Sequence, residues 1–173
     1  MEHPDDQPEL AAAVRELAAA VSEPAGDAAD EHRRWELYQR GADLSSARPA
    51  LARAIAAEPV PSLASAVVVM LLPDADPEER LRLVALLPSS VRRFALDRAR
   101  ELAVLDTLHR PDGPPGFTAD EVVTWSDWLQ RRAAEASADP RLLTLLADQG
   151  RTKRIRSLAA ATLREQHRRT EER

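Results

Sequence analysis

The sequence of 173 residues contains no cysteine, five glycines and few aromatic residues. The lack of cysteine excludes a disulfide framework, a zinc finger and a thiol nucleophile. The glycines stand at positions 26, 41, 113, 116 and 150, so neither G-x-G-x-x-G nor G-x-x-x-x-G-K-[ST] occurs. These absences exclude the dinucleotide-binding and phosphate-loop classes. Aromatic residues make up 3% of the chain and isoleucine occurs only twice, which disfavours a sandwich or barrel.

Long apolar segments and metal-binding patterns are also missing. The longest stretch without a charge covers 59–73 and holds three prolines, whereas a membrane-spanning helix needs about 20 apolar residues. The acidic N-terminus does not resemble a secretory signal. The four histidines show no H-E-x-x-H spacing. We therefore expect a cytoplasmic protein with no membrane segment, metal site or cofactor.

Alanine and leucine dominate what remains, with 32 and 23 copies. Both favour helices, so the composition predicts an all-α protein. Helix starts are marked by Asp76-Pro77, Asp139-Pro140 and a capping box at Thr118–Glu121. Gly150 is predicted to end a helix in a left-handed turn. About nine helices are expected, at 8–22, 28–40, 47–57, 61–72, 77–87, 90–108, 119–136, 140–148 and 152–169.

Three windows of the chain are similar to one another: Leu51–Leu72, Leu81–Leu102 and Leu142–Leu163. Each has a turn signal after eight or nine residues and small apolar residues in its second half. Residues 140–164 resemble a HEAT repeat, because Ile155, Arg156, Ala159, Ala160 and Leu163 match the form of its second helix. The resemblance implies stacked antiparallel helical hairpins, an α-solenoid. An irregular helical bundle is the alternative.

The organisation and the charge are uneven along the chain. We predict an acidic tail over 1–6 and a single helical domain over 7–170, with a Pro/Gly loop at 110–117 dividing two subassemblies. Residues 1–31 carry nine acids and one base, while 151–173 carry eight bases and three acids. The last helix is thus predicted to be basic, with an inward stripe and arginines on its exposed sides, namely Arg154, Arg156, Arg164 and Arg168.

The aromatic residues divide into core candidates and one surface candidate. Trp35, Tyr38 and Phe94 are expected to anchor the core. Trp125 follows the core spacing of its helix, with Val122 and Leu129, whereas Trp128 lies at the flank of that stripe. The candidate partner-binding residues are therefore Trp128, Arg131, Arg132, Arg154, Arg156 and Arg164.

These features favour a non-catalytic module that binds another protein, as an adaptor, an assembly factor or a toxin-neutralising partner. The basic last helix leaves open nucleic-acid binding without sequence preference. Trp125, Asp127, Trp128 and Arg131 are also similar to the tryptophans and aspartate on the basic surface of HEAT-like DNA glycosylases. That similarity implies a third, enzymatic alternative, against which the acidic net charge of −5 argues.

Overall fold

The computed structural model describes residues 8–108 and 117–171, and within these ranges all regular structure is helical. The predicted all-α fold class is confirmed. The helices fall into two compact units, 1–100 and 101–173, so the units join inside the sixth helix. The loop predicted to divide the chain at 110–117 lies outside the described residues except for Phe117, as does the acidic tail at 1–6. None of the described helices has the length and apolar character needed to cross a membrane.

The first unit is a set of short helices in which α1 packs against α2 and α3, and α2 also packs against α4. Single 3₁₀ turns at Ser45–Ala47 and Leu72–Asp74 link two of the helices to their successors. The helices are α1 (Pro8–Ala20), α2 (Glu31–Asp43), α3 (Arg48–Ala57), α4 (Pro61–Leu71), α5 (Pro77–Ala85) and α6 (Ser89–Leu108).

Side-chain caps decide where several of these helices begin. The Asp76 carboxylate accepts hydrogen bonds from the Glu78 and Glu79 amides at 2.9 and 2.8 Å, and Pro77 takes the first helical position. These backbone hydrogen bonds lower the pKa of Asp76. Asp30 caps α2 in the same way, which places the start of that helix at Glu31, later than predicted. Local capping chemistry therefore sets the helix boundaries.

The aromatic residues of this unit only partly follow the prediction. Tyr38 is fully buried, as expected, and Trp35 is half-buried. Phe94 is 60% exposed, so its prediction as a core anchor is wrong. The reason is helical periodicity: Ala95 and Ala99 form the buried side of α6, and Phe94 lies about 100° around the helix from Ala95.

A buried ion pair joins α2 to the end of α3. Arg34 donates two hydrogen bonds of 2.8 Å to the Glu58 carboxylate and a third to the Ala28 carbonyl. The Tyr38 hydroxyl donates to Glu58 at 2.7 Å, and the Val60 amide donates at 3.0 Å. Burial and the hydrogen bond to Glu58 raise the pKa of Tyr38, so the phenol stays protonated. This cluster is saturated with internal partners and has a structural role.

After the end of α6, the described part of the second unit contains four helices, of which α8 and α9 both pack against α10. The predicted helix over 119–136 is wrong as a single element, because it breaks at Trp125 and Ser126. Ser126 caps a new helix by accepting a hydrogen bond from the Leu129 amide at 3.1 Å, and Trp125 is extended there. The helices are α7 (Ala119–Thr124), α8 (Asp127–Ala136), α9 (Pro140–Gln149) and α10 (Lys153–Glu171).

Gly150, between α9 and α10, does not adopt the predicted left-handed conformation, since its φ and ψ are −54° and 138°. It is needed for close approach instead. A Cβ at this position would lie 2.5 Å from the Leu146 carbonyl oxygen and 2.8 Å from Ile155 Cγ2. The next helix is capped as predicted, because Thr152 Oγ1 accepts a hydrogen bond from the Ile155 amide at 3.2 Å.

The three similar windows each contain the end of one helix, a short connection and the start of another. The pairs are α3 with α4, α5 with α6, and α9 with α10. Ala64, Ala95 and Ala159, which occupy corresponding parts of the windows, are all buried. Each window therefore contains two consecutive helices joined by a short connection, and the pairs α3–α4 and α9–α10 pack against each other. Stacking of helical hairpins as HEAT-like repeats stays a prediction.

Candidate functional site

An open groove of about 270 Å³ runs between the start of α8 and the start of α10. We call it the tryptophan–arginine groove. Trp128 and Arg131, three positions apart, face it from α8, while Arg154 faces it from α10. Its lining residues are Asp127, Trp128, Arg131, Thr152, Arg154 and Ile155.

The groove is shaped by the two helix starts on which its residues stand. Ser126 begins α8 and Thr152 begins α10 by side-chain capping. Gln130, fully buried, donates to the Val122 carbonyl at 2.8 Å and accepts from the Arg151 amide at 2.9 Å. This side chain therefore ties the α7–α8 break to the α9–α10 connection. Hydrogen bonds between the Gln130 side chain and the backbone therefore hold together the two connections from which the groove helices start.

The arginines around the groove differ in how far they are neutralised within the chain. Arg131 Nε lies 3.9 Å from Glu135, a long ion pair on the same helix. Arg132 pairs with Glu135 at 3.1 Å, and its Cζ lies 5.9 Å from the centroid of the Trp128 ring. Arg154 is exposed and makes no ion pair with the described residues. The strongest unsatisfied charge in the groove is thus positive.

Asp127 is the only acid in the lining, and a cation already faces it. Its carboxylate lies 3.2 Å from Arg151 Nε. Both side chains are more than half exposed, so the pair contributes little to stability. It does reduce the negative potential at that end of the groove. The groove therefore presents a tryptophan ring between basic groups.

The six predicted partner-binding residues do not form one cluster. Trp128, Arg131 and Arg154 line the groove, and Arg132 lies beside Trp128. Arg164 lies farther along α10, exposed on a surface shared with Ala161, His167 and Arg168.

Arg156 departs from its prediction as an exposed residue. It is half-buried, and its Nη1 donates to the Gly150 carbonyl at 2.7 Å. This hydrogen bond satisfies a carbonyl in the α9–α10 connection. Arg156 therefore stabilises the α9–α10 connection and does not line the groove.

The glycosylase-like set is also divided. Asp127, Trp128 and Arg131 line the groove, but Trp125 is 9% exposed and packs edge-to-face against Phe117, with 4.9 Å between ring centroids. Trp125 thus belongs to the core of the unit, as its spacing with Val122 and Leu129 predicts. No group of three or more histidines and carboxylates able to hold a metal ion occurs in the described parts of the chain.

A second depression, in the first unit, was not predicted. This apolar groove of about 710 Å³ lies between α4 and the start of α6. Its residues are Ser62, Ser65, Ala66, Val69, Ser90, Val91, Arg93, Phe94 and Asp97. The helical phase of Phe94 relative to Ala95 and Ala99 is the sequence signal that indicates its exposure.

No protein-family model, curated protein or solved structure is similar enough to this chain to match it.

Proposed function

We propose that this protein is a non-catalytic protein-binding module whose tryptophan–arginine groove receives an acidic segment of a partner protein. The observation that carries the proposal is the meeting of Trp128, Arg131 and Arg154 in one open groove. Tryptophan and arginine are enriched among the residues that contribute most to binding at protein interfaces.

The charges of the groove favour carboxylates in the partner. Arg154 has no acidic partner among the described residues, and Arg131 has only a long contact to Glu135. A guanidinium binds a carboxylate through two parallel hydrogen bonds, which gives both energy and orientation. Two arginines from different helices can therefore hold an acidic segment across the groove.

The apolar part of the groove favours one apolar side chain within that segment. Trp128 is half-buried, and Ile155, which is 3% exposed, lies at the bottom. An aliphatic or aromatic side chain placed between them would remove apolar surface from water. The combination indicates an acidic segment with a single apolar anchor. An adaptor, an assembly factor and a toxin-neutralising protein would all use such a surface, and HEAT-like stacking, if present, would extend it.

Co-purification from native cells tests the proposal when it is run with and without nuclease. We expect the wild-type protein to retain a stoichiometric protein partner after nuclease treatment. The double variant Arg131→Glu/Arg154→Glu should lose it, because two attractive charges become repulsive. The partner should contain an acidic segment, identified by crosslinking.

Arg141→Glu provides the matched control for this experiment. Arg141 is an exposed arginine of α9 outside the groove. Its substitution by glutamate changes the net charge by the same amount as either groove substitution and leaves the groove residues unchanged. The variant should keep the partner. Equal capture by all three proteins, or no stoichiometric protein in any of them, would contradict the proposal.

Nucleic-acid binding through α10 is the second candidate, and one observation favours it. Arg154, Arg164 and Arg168 follow one exposed side of the helix, separated only by the small exposed residues Ser157 and Ala161. Such a row of cations can neutralise successive phosphates.

A labelled single-stranded oligonucleotide distinguishes this candidate in a fluorescence anisotropy titration. Phosphate binding predicts that log affinity falls linearly with log salt concentration, and that Arg154→Ala/Arg164→Ala reduces the slope. Loss of the co-purified protein after nuclease treatment would also favour nucleic-acid binding. Absent or salt-insensitive binding would exclude this candidate.

A further inference from the structure

The apolar groove of the first unit carries a second surface that the proposed function does not use. Phe94 stands at its edge and is 60% exposed. Arg98 Cζ lies 5.7 Å from the centroid of the Phe94 ring, yet most of the ring still meets solvent. An exposed aromatic residue beside an apolar depression marks an interaction site.

The groove is a depression between two helices, α4 and α6, that a third helix could fill. On α4 it is lined at positions 62, 65, 66 and 69, which share one face of that helix. The opposite side of α4 is the buried one, with Leu63, Val67 and Val68. On α6 the lining includes Val91 and Phe94. A helix laid between α4 and α6 would therefore cover apolar side chains from both.

The charges of this groove indicate which helix fits. The lining contains one base, Arg93, and one acid, Asp97, four residues apart on α6. They form an exposed ion pair of 3.8 Å, and Asp97 also accepts a hydrogen bond of 3.3 Å from Arg100. The groove is therefore close to neutral, and this exposed pair can exchange partners with an identical pair. The remaining polar groups in the lining are serine hydroxyls. A strongly acidic or strongly basic partner would meet one like charge here, whereas a surface with the same pair in reverse order would complement both.

We propose that the occupant is a second copy of this chain, bound through a two-fold axis that sets the two α6 helices antiparallel at the level of residue 95. A two-fold interface uses the same patch on both copies. Positions 93 and 97 are equally distant from 95, so Arg93 of each copy lies opposite Asp97 of the other. Phe94 of each copy then enters the groove of the other, beside Ala66 and Val69.

Analytical ultracentrifugation over a range of protein concentrations measures the dimer directly. The wild-type protein should rise from its monomer mass of 19.1 kDa towards twice that value. Phe94→Asp should remain a monomer throughout, because it places a carboxylate in the apolar groove. Leu81→Asp is the matched control: Leu81 is 59% exposed and lies on α5 outside the groove, so this variant should dimerise like the wild type.

A charge exchange tests the antiparallel arrangement. Asp97→Arg alone should weaken the dimer, since it brings two cations together, and Arg93→Asp/Asp97→Arg should restore it. Circular dichroism confirms that each variant is folded.

A wild-type protein that stays monomeric overturns the proposal. So does a dimer that survives Phe94→Asp, or an exchange that does not restore association. These outcomes leave the tryptophan–arginine groove untested, so a failure here is distinguishable from a failure of the proposed function.

Discussion

Two pairs of arginines, one in each unit, differ in burial and in the partners of their guanidinium groups. In the first unit, Arg34 and Arg80 are buried, and their guanidinium groups donate to Glu58 and to the Leu72 carbonyl. In the second unit, Arg154 and Arg164 are exposed on α10 and make no ion pair with the described residues. Arg34 and Arg80 thus stabilise the first unit, whereas Arg154 and Arg164 have no acidic partner among the described residues. Composition alone, with 24 basic residues along the chain, does not separate these roles.

The largest expected effect on stability comes from disrupting the buried Arg34–Glu58 ion pair of the first unit. Glu58→Ala leaves the Arg34 charge and the Tyr38 hydroxyl without their shared acceptor. Removing one partner of a buried ion pair destabilises by about 3–5 kcal/mol, a large share of a typical unfolding free energy of about 5–15 kcal/mol. Urea denaturation followed by circular dichroism measures it.

Glu16→Ala is the matched control for that variant. Glu16 also pairs with an arginine, Arg53, but both side chains are about half exposed. Its removal should shift the denaturation midpoint far less than Glu58→Ala does. Similar shifts for the two variants would show that burial of the Arg34–Glu58 pair is not what makes it important.

A smaller effect is expected at the connection that supports the tryptophan–arginine groove. Gly150→Ala places a methyl group against the Leu146 carbonyl and Ile155, and overpacking of this kind costs about 1–3 kcal/mol. Gly41→Ala offers the contrast, because its Cβ would meet the movable end of the Leu17 side chain at 2.9 Å. Thermal unfolding should rank Gly150→Ala as the more damaging; the reverse order would contradict the role assigned to Gly150.

The smallest effect on stability is expected for the exposed arginines of the second unit. Arg154→Ala should change the free energy of unfolding by no more than about 0.5 kcal/mol, as for most surface substitutions. The same denaturation experiment checks it. A destabilisation comparable to that of Glu58→Ala would mean that Arg154 serves the fold and is not held available for a partner.

Sequence reasoning predicted the features that depend on neighbouring residues. The aspartate caps at Asp76 and Asp139 and the capping box at Thr118 are local patterns, and the structure confirms them. The break at Ser126 was missed because Trp125 and Leu129 continue the core spacing across it, so periodicity masked the cap.

Features that depend on distant residues could not be predicted in this way. Arg34 and Glu58 are separated by 24 positions, and no short pattern links them. Only one side of the tryptophan–arginine groove could be predicted. The position of Trp128 at the flank of its helix indicates that it is a surface residue. Its proximity to Arg154 depends on the packing of α8 against α10, which no local pattern indicates. Arg156 was misassigned because its hydrogen bond to Gly150 depends on the shape of the preceding connection.

The central claim is that the tryptophan–arginine groove binds an acidic segment of a protein, and site-specific photocrosslinking tests it most directly. A photoreactive phenylalanine derivative in place of Trp128 would be activated in native cells, and the crosslinked peptide identified by mass spectrometry. We predict a single dominant adduct with an acidic segment of another protein, lost when Arg131→Glu/Arg154→Glu is added. Crosslinks only to nucleic acid, or a protein adduct that persists in the charge-reversed variant, would contradict the claim.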